Sequence, residues 1–309
     1  MVMIIEKIAE LKKQRNAVIL AHYYTTPEVQ QVADFVGDSL ALAQQAASTS
    51  ADVILFAGVT FMAETAKILN PTKIVLLPDM EAGCSLADSC RAADFKRFIE
   101  ANPGHTVISY VNTTAEVKAL TDIVCTSSNA VQIVESLPRE AKIIFGPDRN
   151  LGSYIKAITG RSEMKIWDGA CHVHQRFSLD RILKLKAQNP GAKILAHPEC
   201  PRPVVLVADM VGSTAQMLNF SQTDLARTYI VATESGILFQ MQQASPAKHF
   251  IAAPGEDMTC ACNDCAYMKL NTLVKIEHSL RTLQGQIELP SDIMARAKVP
   301  IERMLALSK

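Results

Sequence analysis

VILAHYYTTPEVQQVADFVGDSLALA, residues 18–43, reads as an apolar strand, a polar and aromatic cluster, a short helix, an Asp-x-Val, and a hydroxyl residue opening another helix. The same order recurs in VISYVNTTAEVKALTDIVCTSSNAVQ (107–132) and ILAHPECPRPVVLVADMVGSTAQML (194–218). The register holds without a gap. His22, Tyr110 and His197 each stand twelve residues before Asp34, Asp122 and Asp209, and seventeen before Ser39, Ser127 and Thr214. A further apolar strand ends thirty-six residues after each leading residue, at Gly58, Gly146 and Thr233. Self-similarity at a fixed period governs every other reading of a chain.

Strands alternating with helices across short loops imply parallel pairing with right-handed crossovers. The expected class is therefore α/β: three homologous three-layer α/β/α (Rossmann-like) domains with parallel sheets around a pseudo-threefold axis. Function in such sheets gathers at the carboxyl ends of the strands, so the active site is expected at the centre, where the three sets meet. The expected domains are residues 1–84, 85–171 and 172–265. The segment 266–309 reads as purely helical and is expected to pack back on the first of them.

Composition bounds the function. Thirty-one basic residues balance thirty-one acidic ones, so no overall field draws nucleic acid or an anionic membrane. The longest apolar stretch, VILFAGVTFMA at 53–63, falls short of the roughly 18 residues that span a bilayer. MVMIIEKIAELKKQR at the start alternates apolar and charged positions at helical spacing and lacks the pattern of a secretion signal, so a cytoplasmic protein is expected.

Eight cysteines in a cytoplasmic chain argue for metal ligation or catalysis rather than a disulfide scaffold. Three follow the repeat. A fourth apolar strand in each copy leads to Cys84 in KIVLLPDMEAGC, Cys171 in MKIWDGAC and Cys265 in HFIAAPGEDMTCACNDC, which lie 62, 61 and 68 positions after their leading residues. One thiol per repeat makes Cys265 the ligand in its C-x-C-x2-C run, with Cys260 and Cys262 as passengers. Cys90, Cys125 and Cys200 read as small buried hydrophobes. Three thiolates are too few for an ordinary structural zinc or a fully cysteine-ligated cluster; they suit a 4Fe-4S cluster with one open iron, a Lewis acid for removing water. Zinc with the same ligands plus water is the rival on chemistry alone.

Ser39, Ser127 and Thr214 stand at helix starts, where such residues commonly cap. Three helix N-termini aimed at one cavity would also hold carboxylates or phosphate, which explains how a chain of zero net charge could bind a polyanion. His22, Tyr24, Tyr110, Asn112, His197 and Glu199 occupy equivalent strand ends, and His174 follows Cys171 by three residues; they form the candidate acid–base and orienting set. No G-x-G-x-x-G or Walker loop occurs, so dinucleotide or ATP use is not expected.

AHYYTTPEVQQVADFVGDSLALA, FMAETAKILNP, SYVNTTAEVKA, CTSSNA, FGPDRNLG, GACHVHQ, AHPECP, VGSTAQM and CAYMKLNTL together resemble the quinolinate synthase A family, the iron–sulfur enzymes of NAD biosynthesis, over essentially the whole chain. The resemblance implies a cluster on Cys84, Cys171 and Cys265, and condensation of iminoaspartate with dihydroxyacetone phosphate to quinolinate with loss of phosphate and water. It implies functional coupling to the enzyme that makes iminoaspartate. By position, His22, Ser39, Ser127, His197, Ser213 and Thr214 resemble the holders of the substrate's anionic groups. Tyr24, Tyr110, Asn112, His174 and Glu199 resemble the groups that move protons, with Tyr110, Asn112 and Glu199 also touching substrate. GEDMTCACNDC is denser in thiols than one ligand requires, which leaves Cys262 as the other candidate for the third ligand. A diphthamide-synthesis-type enzyme is similar in having three repeats with one cluster cysteine each. A non-catalytic zinc or redox-sensing protein would instead hold no iron and tolerate changes at His22 or Glu199.

Overall fold

The structure, a computed structural model, describes residues 2–256 and 264–308; Cys260 and Cys262 lie outside the described residues. Twelve strands form three four-stranded parallel sheets. The first holds β1 (Ala17–His22), β2 (Phe35–Gly37), β3 (Val53–Ala57) and β4 (Ile74–Leu76) in the order β2-β1-β3-β4. The second repeats that order with β5 (Thr106–Tyr110), β6 (Ile123–Cys125), β7 (Ile143–Gly146) and β8 (Lys165–Ile166). The third does so with β9 (Lys193–Ala196), β10 (Met210–Val211), β11 (Thr228–Ala232) and β12 (His249–Ala252). The leading residues of the sequence repeat stand at or just past the ends of the central strands β1, β5 and β9.

The recurring aspartate has a structural task. Oδ2 of Asp34, Asp122 and Asp209 each accepts the N–H of Ile19, Val107 and Ile194 at 2.8 Å. The carboxylate thereby fixes the entry of the short second strand against the central one. Asp122→Ala is expected to remove about 1–2 kcal/mol of stability, because a largely buried N–H loses a charged acceptor; a urea midpoint unchanged from the parent would refute that.

Sheets covered on both faces need apolar side chains on both, and β3 accordingly reads VILFA with every residue buried. Leu20, Ile54 and Phe56 point into a core shared with the second repeat, while Ile19, Ala21 and Leu55 face the opposite layer. That layer is built by the helices Val2–Arg15 and Leu273–Thr282, which pack on each other. The third sheet has separate cores on its two faces, one around Phe177, Ile194 and Ile230 and one around Leu195, Met217 and Tyr229.

The C-terminal region differs from the purely helical, first-repeat expectation in two ways. Helix Ser291–Leu307 lies against β6 and the helix Ala115–Lys118 of the second repeat as well as Thr60–Leu69 of the first, burying Ala297, Ile301 and Met304 in the shared core. The segment before it is extended: Leu77 N–H donates to Gly285 O at 2.8 Å and Ile287 N–H to Val75 O at 2.9 Å, so the edge of β4 is covered. Gly285 has a φ of +84°, and a Cβ there would collide with the Leu77 carbonyl, so this close pairing requires glycine. Among the described residues no helix is long and apolar enough to cross a membrane.

Candidate active site and metal centre

The carboxyl ends of the three central strands open on one cavity. It is lined by His22, Tyr24, Ser39 and Cys84 from the first repeat, Tyr110, Asn112, Ser127 and Cys171 from the second, and His174, His197, Glu199, Thr214 and Cys265 beyond them. Ser213 is not in the lining: its hydroxyl accepts the Gln216 N–H at 3.2 Å and closes a capping box. Capping duty elsewhere also falls on neighbours. Asp38 accepts the Ala41 N–H at 3.0 Å, and Asn129 stands at the cap of Ala130–Glu135, so the Ser39, Ser127 and Thr214 hydroxyls are outside the caps.

The leading histidines share one device. Tyr24 N–H donates to His22 Nδ1 at 3.2 Å, and Glu199 N–H donates to His197 Nδ1 at 3.3 Å. Each neutral ring therefore carries its proton on Nε2, and that of His197 meets Ser127 Oγ at 3.1 Å. Burial is the main reason that both rings resist protonation, and it lowers each pKa from the ordinary 6.5 to about 3; for His22 the neighbouring His197 adds to it. The unfolded chain thus binds these protons first, so both histidines withdraw stability as pH falls from 6.5 toward 3. Their ring NMR resonances are expected to stay fixed between pH 8 and 5, and a midpoint near 6.5 in either would show a solvent-open ring.

Around Glu199 the three repeats meet in one hydrogen-bonded set. Tyr110 Oη donates to Glu199 Oε1 at 2.6 Å. His174 Nδ1 lies 3.2 Å from Glu199 Oε2 without hydrogen-bond geometry, and its Nε2 is 2.9 Å from the Thr233 hydroxyl. That hydroxyl is 2.7 Å from Tyr24 Oη. Burial works to raise the Glu199 carboxyl, but His174 and the Tyr110 hydroxyl outweigh it and hold the group ionised. Burial and Glu199 keep Tyr110 protonated. His174 Nδ1, Glu199 Oε2 and Asn112 Oδ1 are buried without a hydrogen-bond partner among the described residues, and all three residues line the cavity. Orphaned polar atoms at one strand-end cluster call for a ligand.

The three thiols converge on the same cavity. Backbone N–H groups in the turn after each sulfur favour its anionic form: those of Ala87 and Leu86 at Cys84, of His174 and Val173 at Cys171, and of Met268 and Tyr267 at Cys265. Burial raises all three thiols, Cys84 to about 12, and the N–H donors act the other way. Ligation by metal would deprotonate them. Zn–S bonds of about 2.3 Å would hold three sulfurs roughly 4 Å apart. Among the described residues, the ligand atoms within 4.8 Å of one another are those of Cys171, His174 and Glu199, not the three sulfurs. The three sulfurs therefore do not all lie within that distance of one another.

Sequence reasoning missed several lining groups, among them Glu234, Asp38, Tyr267 and the Ser85–His172 pair, whose Oγ and Nδ1 are 2.6 Å apart. Glu234 directly follows Thr233, the aligned strand end; extending the alignment by one residue would have flagged it.

The chain matches the family described as "Quinolinate synthetase A protein" over residues 6–306. It is 58% identical over 305 residues to a quinolinate synthase of Thermosynechococcus vestitus, covering 99% of this chain and 95% of that one. It is 54% identical over 304 residues to a quinolinate synthase of Chloroherpeton thalassium, covering 98% of this chain and 94% of the other. A quinolinate synthase of a Nostoc strain is 54% identical over 301 residues, 97% of this chain and 92% of its own.

Proposed function

This chain belongs to the quinolinate synthetase A family, whose relatives are enzymes, and from that premise we propose that it condenses iminoaspartate with dihydroxyacetone phosphate. The balanced products are quinolinate, one phosphate and two waters. The observation that carries the reading is the meeting of three thiols, one per repeat, with the orphaned polar atoms of Asn112, His174 and Glu199 in one cavity. Cys84, Cys171 and Cys265 would hold a 4Fe-4S cluster with one iron free of protein thiols. When bound, such a cluster supplies a Lewis acid for the loss of water.

The protein's own groups divide the remaining work. The substrates carry carboxylates and a phosphate, yet among the described lining residues there is no Lys or Arg. Neutral donors take their place: the hydroxyls of Ser39, Ser127 and Thr214 and the Nε2–H of His22. The helices Ser39–Ser48 and Thr214–Thr223 begin at the cavity and add the favourable end of their dipoles. Their being neutral limits the desolvation cost, and burial of His22, Tyr110, His174, His197 and Glu199 to 5% exposure or less keeps water from the reacting imine.

Isomerisation and condensation require protons lifted from carbon, ring closure requires one lost from the attacking nitrogen, and the two departing waters each require a proton delivered to a hydroxyl oxygen. Glu199 Oε2, ionised and without a hydrogen bond although His174 Nδ1 stands 3.2 Å away, is the base that can lift one. Tyr110 Oη–H steadies the carboxylate through Oε1, and Tyr24 Oη, tied through Thr233 to His174, is a proton donor within the same set. Asn112 Oδ1 accepts from substrate. The thiol-held iron and labile imine suit a reducing cytoplasm, where coupling to the enzyme that supplies iminoaspartate would shorten the imine's exposure to water.

The test is anaerobic assay of the iron- and sulfide-reconstituted protein with dihydroxyacetone phosphate and iminoaspartate formed in situ from oxaloacetate and ammonia. Quinolinate appearing with one phosphate per turnover supports the reading; no quinolinate from protein holding its full iron overturns it. The Cys171, His174 and Glu199 trio favours a second reading, a single zinc with mixed donors. Metal analysis showing zinc without iron would select it.

A further inference from the structure

Two of the three ligand cysteines are gripped through their backbone by a buried carboxylate. Asp148 Oδ2 accepts the Cys171 N–H at 3.0 Å, while its Oδ1 accepts the N–H groups of Asn150 and Leu151 at 2.7 and 3.0 Å. Glu234 Oε1 accepts the Cys265 N–H at 3.1 Å, and its Oε2 accepts the Gly236 N–H at 2.7 Å. Both residues are wholly buried. They occupy nearly the same place in the repeat, Asp148 thirty-eight residues after Tyr110 and Glu234 thirty-seven after His197. The first repeat places Thr60 there, thirty-eight residues after His22. Its hydroxyl donates to Ala82 O at 2.9 Å, two residues short of Cys84.

A buried carboxyl group beside a thiol that must become a thiolate is electrostatically adverse whenever it ionises. A group kept there at that penalty needs a compensating task, and holding ligands in place is the task its hydrogen bonds perform. The arrangement around Glu234 supports this. Lys269, one helical turn after Cys265, sets its ammonium 2.9 Å from Glu234 Oε1 and donates to the Tyr24 carbonyl of the first repeat at 2.8 Å. The cation offsets the buried charge and joins the third ligand to the wall that carries Tyr24.

We propose that Asp148 and Glu234 are positioning residues for the metal centre, each fixing the backbone of its ligand cysteine so that the thiol faces the cavity before iron arrives. The inference rests on the three-cysteine cluster reading. It predicts that the second and third ligands are preset by buried carboxyl groups and the first by hydroxyl and backbone hydrogen bonds alone.

The test compares Asp148→Asn, Glu234→Gln and, as comparator, Thr60→Val with the parent. After anaerobic reconstitution, the rate of iron extraction by EDTA is followed. The metal-free proteins are then treated with iodoacetamide, and alkylation at Cys84, Cys171 and Cys265 is mapped by mass spectrometry. Iron is expected to leave the two carboxylate variants about 10–100-fold faster, the usual effect of losing a group that orients a metal ligand. Alkylation should change at Cys171 in the first and Cys265 in the second, with Thr60→Val within about twofold of the parent. Extraction and alkylation at parental rates in both carboxylate variants would overturn the proposal. A parent that takes up no iron would instead overturn the cluster reading, while the alkylation pattern still judges the grip on each cysteine. Because Glu234→Gln leaves the Lys269 ammonium half-buried without its partner, Glu234→Gln/Lys269→Met, which removes both charges, replaces it if circular dichroism shows the single variant unfolded.

Discussion

Glu199→Gln is expected to lower the rate of quinolinate formation by roughly 10²–10⁴-fold, the span that a positioned acid–base group contributes, while the iron content stays at the parental level. The residue is 2% exposed, accepts the Tyr110 hydroxyl on Oε1 and turns Oε2, which makes no hydrogen bond, toward His174 Nδ1 at 3.2 Å. The amide has nearly the same shape and can still accept from Tyr110, so the fold has little reason to change. What it loses is the anionic oxygen that takes a proton. Glutamine also removes the charge that faces His174, so the remaining rate should depend differently on pH. Steady-state kinetics over pH 6–9, beside iron analysis and a thermal melt, read these separately. A variant with parental turnover would remove Glu199 from the chemistry, and one that lost iron along with activity would move its role to the metal centre.

The fold was legible because the sequence carries three independent copies of one pattern. Twelve- and seventeen-residue spacings, each kept three times, fixed the equivalence of His22, Tyr110 and His197 before any contact was known. The three identical sheet orders follow from that equivalence. The strand ends were legible for the same reason, since a parallel sheet sends all its carboxyl ends one way. Groups that lie off the repeat were not. The helix Ser291–Leu307 packs largely on the second repeat, a choice made by the shape of a shared core and invisible in its own periodicity. Ser213 and Thr214 are adjacent in sequence, yet the capping box takes one hydroxyl and leaves the other on the cavity. Thr233 acts through Tyr24 of the first repeat, and no spacing within one repeat encodes a contact between two.

Cys84→Ser, Cys171→Ser and Cys265→Ser are each expected to reduce iron from about four per chain, the content of a four-iron cluster, to well below one, with loss of quinolinate formation. The three sulfurs come from three repeats and converge on one cavity, so no neighbouring thiol in the described structure stands ready to replace one of them. Cys90, Cys125 and Cys200 are buried in apolar surroundings away from the lining, and serine there should leave iron in place while lowering stability. Serine is a poor substitute at the ligand positions because its hydroxyl is harder and far less acidic than a thiol, and the site is already one that burial biases against anions. The backbone N–H groups that meet each sulfur are too few to offset that bias for an alkoxide. Cys262→Ser is the decisive companion, since the repeat assigns the third ligand to Cys265 and makes Cys262 dispensable. Iron and sulfide analysis with an absorption spectrum, done anaerobically on all seven variants, separates the cases. Retention of iron in Cys265→Ser with loss in Cys262→Ser would transfer the third ligand and end the one-thiol-per-repeat rule. Loss in the three repeat positions alone would establish that the cluster is held by the symmetry of the fold, each ligand delivered by a turn at the end of its own sheet.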